Sequence, residues 1–368
     1  MNASRSVIAF DQFAKEHPPA AGGKSASLST MISAGFPVPP GFAVLTDVFK
    51  ESKRISGADD QINKLIDEFN GGPEASEPIR ELMQKWKFSD EHEHQIRESY
   101  ANLSELSGIA DVPVAVRSSA TAEDSPDASF AGEHDTYLWV RGIDEVLEKI
   151  RSCWASLFTE RAIAYREKMG YDHSKVDMAV AVQKMVRPRA AGVAFTLDPT
   201  NGDKSVISID SAWGFGEGVV SGEVTPDTFR VEKVTWSITQ RTISPKPRTY
   251  QLVFNKEGDK PSVRLVQMQD DKINASSLTD PQILAIAKLA RRAEEHYGWP
   301  QDIEWAIDQD SSEEHGVVLL QARPETYWSQ RKKQEKASGN SDSDEAVSSI
   351  VETLINPMNK PKDHGTSK

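Results

Sequence analysis

The sequence has almost no cysteine and no long hydrophobic run. A single cysteine, Cys153, among 368 residues excludes an intramolecular disulfide and a zinc site built from several cysteines. That usage is typical of a reducing compartment. No apolar stretch approaches the roughly 20 residues that a membrane helix needs, and the N-terminus lacks the apolar region of a secretory signal. We therefore expect a cytoplasmic protein with no membrane partner.

Basic residues are also in deficit. The chain has 43 lysines and arginines against 56 acidic residues, so its formal net charge at pH 7 is −13. Nonspecific binding of nucleic acid needs a basic surface, so we expect no nucleic-acid partner. An anionic small ligand needs only a few well-placed cations, and that class of ligand stays open.

The pattern of residue types changes twice along the chain. Helical periodicity dominates the first half and short strand-like runs dominate the second, which favours an α+β fold. Beyond Trp328 the residues are charged or small and lack periodicity, as in a flexible tail. We expect two subdomains, over residues 1–185 and 186–327, followed by a tail over residues 328–368.

Two helices can be placed by their patterns. Apolar residues at spacings of three and four predict one long helix over residues 144–169, with Cys153 on its apolar stripe. Packing is the expected role of Cys153, because no partner base is evident. A second helix is predicted over residues 280–297, with Thr279 and Gln282 as a capping box.

The segment from Gly22 to Ser25 places two glycines and Lys24 at the start of a predicted helix. Backbone N–H groups and the helix dipole attract an anion at such a position, and the ammonium adds charge. Pro18 stands where a Walker A loop needs its first glycine, so this is not a P-loop. A capped surface helix that happens to carry a lysine is an equally good interpretation.

A predicted buried strand over residues 112–116 leads directly into Arg117. A guanidinium at the end of a buried strand can face a cleft and hold a phosphate through two hydrogen bonds. The small, hydroxyl-rich loop that follows, ending near Gly132, could fold over a phosphate chain. The alternative is a turn-rich loop in which Arg117 pairs with Glu123 or Asp124.

Two strand-like segments near the end of the folded part carry polar residues in alternation. Asp302 and Glu304 share one face of the first segment, and Gln321 and Arg323 share one face of the second. If these strands pair, a carboxylate lies beside an amide oxygen, and Mg²⁺ binds such oxygens together with substrate phosphates. Outward faces of a solvated hairpin are the alternative, although the apolar neighbours favour burial.

Two connections between strands offer weaker signals. Residues 183–188 could present backbone N–H and C=O groups to a flat base, with Met185 as an apolar wall, or could be a simple connector. Residues 214–218 fail the dinucleotide-binding pattern because Val219 replaces its third glycine. They form a tight turn, with or without a ligand beside it.

The chain resembles the ATP-binding N-terminal domain of the phosphoenolpyruvate synthase and pyruvate phosphate dikinase family, with rifamycin phosphotransferases as more distant relatives. The resemblance covers roughly residues 7–327. It lies in ordered blocks that include GGKSASL, VAVRSSATAEDSPDASFAGE, VQKMV, AGVAFTLDP, SAWGFGEGVVSGEVTPD, HYGWPQDIEW and LLQARPET. The resemblance implies an ATP-grasp fold, in which ATP and Mg²⁺ lie in a cleft between two subdomains.

The resemblance also implies roles for individual residues. The catalytic, phosphate-binding cations would be Lys24, Arg117 and Arg323. The nucleotide-binding positions would be Gly132, Gln183, Met185, Val186, Thr196, Glu217 and Asp302. The Mg²⁺ ligands would be Glu304 and Gln321.

One part of the family pattern is missing from this sequence. The family enzymes carry a swivelling domain with a phosphorylatable histidine in a Thr-Ser/Cys-His-x-Ala context, and a further barrel domain that binds pyruvate. None of the eight histidines lies in that context. The resemblance therefore implies that this chain loads ATP and needs a histidine-bearing partner subunit in a hetero-oligomer.

Phenylphosphate synthase-type enzymes resemble a synthase divided in this way. On that resemblance, a pyrophosphoryl group passes from ATP to the partner's histidine, giving AMP and phosphate. The final small-molecule acceptor, reached through the partner, is expected to be phenol. The alternatives are pyruvate as acceptor, in a phosphoenolpyruvate synthase, and a subunit that senses ATP without chemistry.

Overall fold

The computed structural model describes residues 5–13, 19–120, 136–170, 172–173, 176–254, 261–311, 314–325 and 328. The predicted loop position Gly132 and, apart from Trp328, the predicted tail lie outside these ranges. In the described ranges, no helix has both the length and the apolar character that crossing a membrane requires.

The secondary structure is mixed, as the α+β prediction requires. The helices are α1 (Gly22–Ser33), α2 (Thr46–Ile55), α3 (Ala58–Glu68), α4 (Ser76–Gln84), α5 (Asp90–Ser107), α6 (Ile143–Ala155), α7 (Glu160–Met169), α8 (Glu217–Val220), α9 (Asp270–Ile273) and α10 (Asp280–Tyr297). The strands are β1 (Val7–Ala9), β2 (Gly41–Val44), β3 (Val114–Ala120), β4 (Thr136–Val140), β5 (Met178–Lys184), β6 (Pro188–Phe195), β7 (Val206–Trp213), β8 (Asp227–Glu232), β9 (Ile238–Thr242), β10 (Arg248–Val253), β11 (Ser262–Gln267), β12 (Gln301–Asp308) and β13 (Val317–Pro324).

The strands form two larger sheets and one ribbon. The first sheet has the order β1-β2-β5-β3-β4, the second has the order β13-β12-β6-β7-β8-β9, and β10 pairs with β11. The strand pairs within these sheets are antiparallel. Helices lie between and against the sheets, so each sheet has a covered face.

One face of the first sheet packs against helices α2 to α7. Its strands contribute Val116 and Val182, and α6 contributes Cys153 and the fully buried Trp154. Each large apolar side chain buried there stabilises the fold by about 1.5–3 kcal/mol. The packing role predicted for Cys153 is confirmed, since it belongs to this core.

A second core joins the two sheets. It contains Leu28 and Met31 of α1, Ala181 of the first sheet, and Trp305 and Leu319 of the second sheet, and α10 covers its other side. Because α1 packs against strands of both sheets, the burial of this core holds β3 of the first sheet near β13 of the second.

Two elements differ from their predictions. The predicted helix over 144–169 is two helices, because the Thr159 backbone is extended and its hydroxyl caps α7 by accepting the N–H of Ala162 at 3.2 Å. The predicted strand over 112–116 begins at Val114 and runs to Ala120, since β5 pairs with it along that whole length. Arg117 therefore lies within a strand and not at its end.

The predicted capping box at the start of α10 is confirmed. The Thr279 side chain accepts the N–H of the third helical residue, and the Gln282 side chain accepts the backbone N–H of Thr279 at 3.1 Å. Satisfying these end groups fixes where α10 begins. The helix then lies across the second sheet, with Ile283, Ile286 and Ala290 facing the sheet.

Candidate functional site

Lys24 is placed by a close contact between α1 and β3. Gly22 has a φ of +70°, and a Cβ there would lie 2.1 Å from the carbonyl oxygen of Ser119. Only glycine allows that approach without a shift of the backbone. The Lys24 ammonium then donates to the carbonyl oxygen of Ser118 at 3.1 Å. Lys24 is thereby held against the residue that follows Arg117.

Arg117 reaches from the first sheet to the second. Its Nη2 donates to Oε1 of Gln321 at 2.8 Å and lies 3.4 Å from Oε2 of Glu304. The Arg117 and Glu304 side chains are 15% and 19% exposed, so the ion pair is partly shielded from water. The alternative partners Glu123 and Asp124 lie outside the described residues.

The predicted pairing of the two polar strands is confirmed. In β12 and β13, Asp302 lies opposite Arg323 and Glu304 lies opposite Gln321. The Arg323 Nε donates to Oδ2 of Asp302 at 2.8 Å, and its Nη2 lies 3.6 Å from Oε1 of Glu304. Cations and oxygen ligands thus meet where the two sheets approach. We define the junction cluster as Lys24, Arg117, Asp302, Glu304, Gln321 and Arg323.

Several polar atoms of this region have unused hydrogen-bonding capacity. Oδ1 of Asp302, Nε of Arg117 and Oγ of Ser118 are buried and have no hydrogen-bond partner in the described part of the chain. Burial raises the pKa of the Asp302 carboxyl, and the neighbouring Arg323 opposes that rise. Buried polar groups are normally paired, so the region is suited to a polar ligand.

Glu217 lies within the electrostatic reach of the junction cluster. It follows a turn in which Gly214 has a φ of +74°, and a Cβ there would lie 2.1 Å from the carbonyl oxygen of Tyr250. Burial raises the pKa of the Glu217 carboxyl, Glu304 raises it further, and Arg117 lowers it. The glycine-rich turn therefore brings the Glu217 carboxyl close enough to Glu304 and Arg117 for their charges to affect its pKa.

An apolar patch lies on the same face of the second sheet as the cluster. Val186 packs there with Ala191, Ala306 and Val318. Ala306 is two residues beyond Glu304 in β12, a separation of about 7 Å along the strand. The surface is therefore apolar at one end and charged at the other.

The connector over residues 185–187 adds a hydrogen-bond donor beside the apolar patch. The N–H groups of Lys184, Met185 and Arg187 donate to other parts of the chain, and so does Nε2 of the buried Gln183. The Val186 N–H makes no hydrogen bond within the described residues. A free donor beside an apolar wall suits the edge of a flat heteroaromatic ring.

The structure does not bring Thr196 into the junction cluster. Thr196 is fully buried, and its hydroxyl accepts the N–H of Gln301 at 2.8 Å. That contact fixes the start of β12, one residue before Asp302. Thr196 thus supports the cluster through the backbone.

The oxygen pair of Glu304 and Gln321 fits a magnesium ion. No three His, Cys, Asp or Glu side chains form a metal-binding group within the described ranges. Mg²⁺ does not need such a group, because it takes one or two protein carboxylates and completes its shell with water and phosphate oxygens. The two side-chain oxygens already share one cationic neighbour, Nη2 of Arg117.

Sequence reasoning missed the apolar patch and the role of Ser119. Alternation along β12 was a usable signal for the patch, since Ala306 must share a face with Glu304. No local signal pointed to Ser119, whose hydroxyl donates to the carbonyl oxygen of Ala21 at 3.0 Å. That contact links residues 98 positions apart in sequence.

A separate cavity of about 570 Å³ lies among helices, lined in part by Asp67, Arg166, Glu167, Asp172 and His173. Its arginine donates to the ring of His173 at 3.0 Å and to a backbone carbonyl. Three carboxylates on the lining repel an anionic ligand. The junction cluster is therefore the better site for an anion.

The chain is similar to known proteins over most of its length. Residues 18–344 match the family model for the pyruvate phosphate dikinase, AMP/ATP-binding domain. The chain is 40% identical to the probable phosphoenolpyruvate synthase of Pyrococcus horikoshii, over 86% of this chain and 43% of that protein. It is 39% identical to phosphoenolpyruvate synthase of Pyrococcus furiosus, over 91% of this chain and 45% of that protein.

A bacterial relative shows a similar sequence identity and coverage. Phosphoenolpyruvate synthase of Helicobacter pylori is 40% identical, over 85% of this chain and 41% of that protein. The chain thus spans less than half the length of these relatives. Among solved structures, D-alanyl-alanine synthetase A from Vibrio cholerae aligns with a TM-score of 0.31 and 15% identity, covering 92% of this chain and 67% of that one. That score is too low to support a structural comparison.

The family match defines a nucleotide-binding domain. More specifically, the chain belongs to the pyruvate phosphate dikinase family, as its AMP/ATP-binding domain. The mixed fold of two sheets agrees with the ATP-grasp class expected of that domain.

Proposed function

We propose that the junction cluster binds the triphosphate of Mg²⁺-ATP and that the apolar patch around Val186 binds the adenine ring. The convergence of Arg117 and Arg323, from different sheets, on the oxygens of Glu304 carries this proposal. In a chain whose net charge is −13, such a grouping of cations needs a local reason. A polyanion that binds there would explain why these cations lie together.

Each residue of the cluster has a role in this proposal. Lys24, Arg117 and Arg323 neutralise phosphate oxygens, and the guanidinium groups orient them through paired hydrogen bonds. Asp302 holds Nε of Arg323, which limits the directions in which the rest of that guanidinium can point. Mg²⁺, when bound to Glu304 and Gln321, would offset the charge that develops on the transferred group.

The transfer that we propose uses a histidine of a partner subunit or domain. The imidazole lone pair attacks the β-phosphorus of ATP, the bond from that phosphorus to the α,β-bridging oxygen breaks, and AMP leaves with the electron pair. Water then removes the γ-phosphoryl group as orthophosphate. The phosphoryl group left on the histidine passes to a small-molecule acceptor. The chain contributes position and charge neutralisation, not a covalent intermediate.

Phenol is our proposed acceptor, and pyruvate is the second candidate. Phenol rests on the resemblance to divided phenylphosphate synthase-type enzymes. Pyruvate is favoured by the names of the relatives, which are phosphoenolpyruvate synthases. Incubating the chain and Mg²⁺-ATP with a partner that carries both the histidine and an acceptor-binding domain, and with each acceptor in turn, distinguishes them by the phosphorylated product.

The dependence on a histidine-bearing partner is the test of the proposed function. We expect AMP to form about 1,000-fold faster when a separately produced histidine-bearing domain of a family relative is added, because without it no positioned nucleophile reaches the β-phosphorus. The same domain with its histidine replaced by alanine is the control. Full-rate phosphorylation of phenol or pyruvate by the chain alone contradicts the relay. Tight ATP binding with no AMP from any histidine-bearing domain or acceptor supports an ATP-sensing role instead.

A further inference from the structure

Arg117 lies where a cation is expected in the proposed magnesium site. Its Nη2 is 2.8 Å from Oε1 of Gln321 and 3.4 Å from Oε2 of Glu304. These residues are the metal ligands proposed above. In the described structure, therefore, Arg117 of the first sheet already neutralises the proposed metal ligands Glu304 and Gln321 of the second sheet.

We propose that Arg117 keeps free divalent cations off Glu304 and Gln321, so that the site accepts its metal only together with a nucleotide. This inference rests on the proposed function, because it concerns the same ligand pair. It makes Arg117 a specificity-determining residue that selects the metal–nucleotide complex over the free metal.

Competition for the same two oxygens is the physical basis. A divalent ion that arrives alone must displace the guanidinium, and the displaced charge loses its partners. The Arg117 and Glu304 side chains are 15% and 19% exposed, so salt and water screen their attraction only in part. A free metal ion thus competes with an ion pair that is already formed.

A nucleotide removes this cost. Its phosphate oxygens accept hydrogen bonds from Arg117 in the paired geometry that guanidinium groups favour. The Arg117 Nε, which is buried without a partner in the described part of the chain, has capacity for one more hydrogen bond. Phosphates can therefore draw Arg117 away from Glu304 and Gln321 while they bring the metal to those two ligands.

Arg323 provides the matched comparison. It lies at the same end of the surface and carries the same charge, but its Nε binds Asp302 at 2.8 Å and its nearest approach to Glu304 is 3.6 Å, at the other carboxylate oxygen. Replacing it removes a positive charge and the longer contact with Glu304, and leaves in place the contacts of Arg117 with both proposed ligands. The general electrostatic effect can thus be separated from occupation of the ligands.

The test measures Mn²⁺ binding to the full chain without nucleotide, from the electron paramagnetic resonance signal of free Mn²⁺. We expect Arg117→Gln to bind Mn²⁺ about tenfold more tightly than the wild type, as a lost competing ion pair predicts. Arg323→Gln should gain no more than about threefold. Equal gains in the two variants, or no gain in Arg117→Gln, overturn the proposal.

Two further variants keep the test decisive. Arg117→Gln combined with Glu304→Gln should lose the gain, and a gain that persists places the metal elsewhere and contradicts the proposal. Arg117→Lys carries one ammonium that holds the two oxygens less well, so a gain smaller than that of Arg117→Gln is expected. If Arg117→Gln does not fold, wild-type affinity in a folded Arg117→Lys overturns the proposal. Titration of the wild type with Mg²⁺-ATP is a separate readout. Its failure counts against the proposed function and against delivery of the metal by a nucleotide, while the Mn²⁺ titrations still decide whether Arg117 keeps the free metal off the ligands.

Discussion

Replacing Glu304 by glutamine should abolish most of the contribution of Mg²⁺ to ATP binding. The variant keeps the size of the side chain and removes the carboxylate charge from the proposed metal ligands. We expect the ATP affinity measured in Mg²⁺ by isothermal titration calorimetry to fall about 100-fold, which is about 2.7 kcal/mol. The fold should persist, because Glu304 lies at the junction of the sheets and outside the two large cores.

The same ATP titrations without metal provide the matching comparison for Glu304→Gln. With EDTA present, Glu304→Gln should bind ATP at least as tightly as the wild type, since the carboxylate then has no metal to hold, repels the phosphates and competes with them for Arg117. Glu295→Gln, on the exposed face of α10, controls for the loss of one negative charge and should bind ATP normally. A well-folded Glu304→Gln variant with wild-type affinity in Mg²⁺ removes Glu304 from the metal site.

Replacing Arg323 by alanine should lower ATP affinity about 10- to 100-fold both with and without Mg²⁺. The guanidinium acts directly on the phosphates in our account, and charge-assisted contacts of that kind are the stronger ones at a binding site. Its loss should therefore not depend on the metal. Equilibrium titration at low and high salt is the measurement, and the difference should shrink as salt screens the charge.

The chain contains a matched control for Arg323. Arg241 also pairs with an aspartate, Asp280, and both arginine side chains are 43% exposed. Arg241 lies on β9, at the far edge of the second sheet. Arg241→Ala removes the same charge and should leave ATP binding unchanged. Equal losses in Arg241→Ala and Arg323→Ala would mean that net charge, and not the cluster, attracts the nucleotide.

Much of the second sheet's contribution to the site could be predicted from local patterns. Alternation along β12 and β13 places Asp302 and Glu304 on one face of the first strand, and Gln321 and Arg323 on one face of the second. The structure adds the register, with Glu304 opposite Gln321 and Asp302 opposite Arg323. The β-bulge beside Glu304 and Trp305 was not predictable, because it depends on Trp305 pairing with Leu319, which leaves Leu320 of β13 without an opposite residue in β12. Family resemblance supplied the roles of these residues, and their spacing alone did not.

Contacts between distant parts of the chain could not be predicted in the same way. Arg117 and Gln321 are 204 residues apart, and their meeting depends on how α1 packs between the sheets. The extension of β3 through Ser118 and Ser119 depends on pairing with β5, since small hydroxyl residues favour loops when taken alone. Tertiary pairing overrides local propensity at these positions.

A crystal structure of the chain with Mg²⁺ and a nonhydrolysable ATP analogue is the most direct test of the account. We predict phosphate oxygens in contact with Lys24, Arg117 and Arg323, the metal on Glu304 and Gln321, and the adenine ring against Val186. We also predict that Arg117 has moved from the metal ligands to the phosphates. A nucleotide bound in the helical cavity beside Arg166, or anywhere away from the junction cluster, would contradict the central claim.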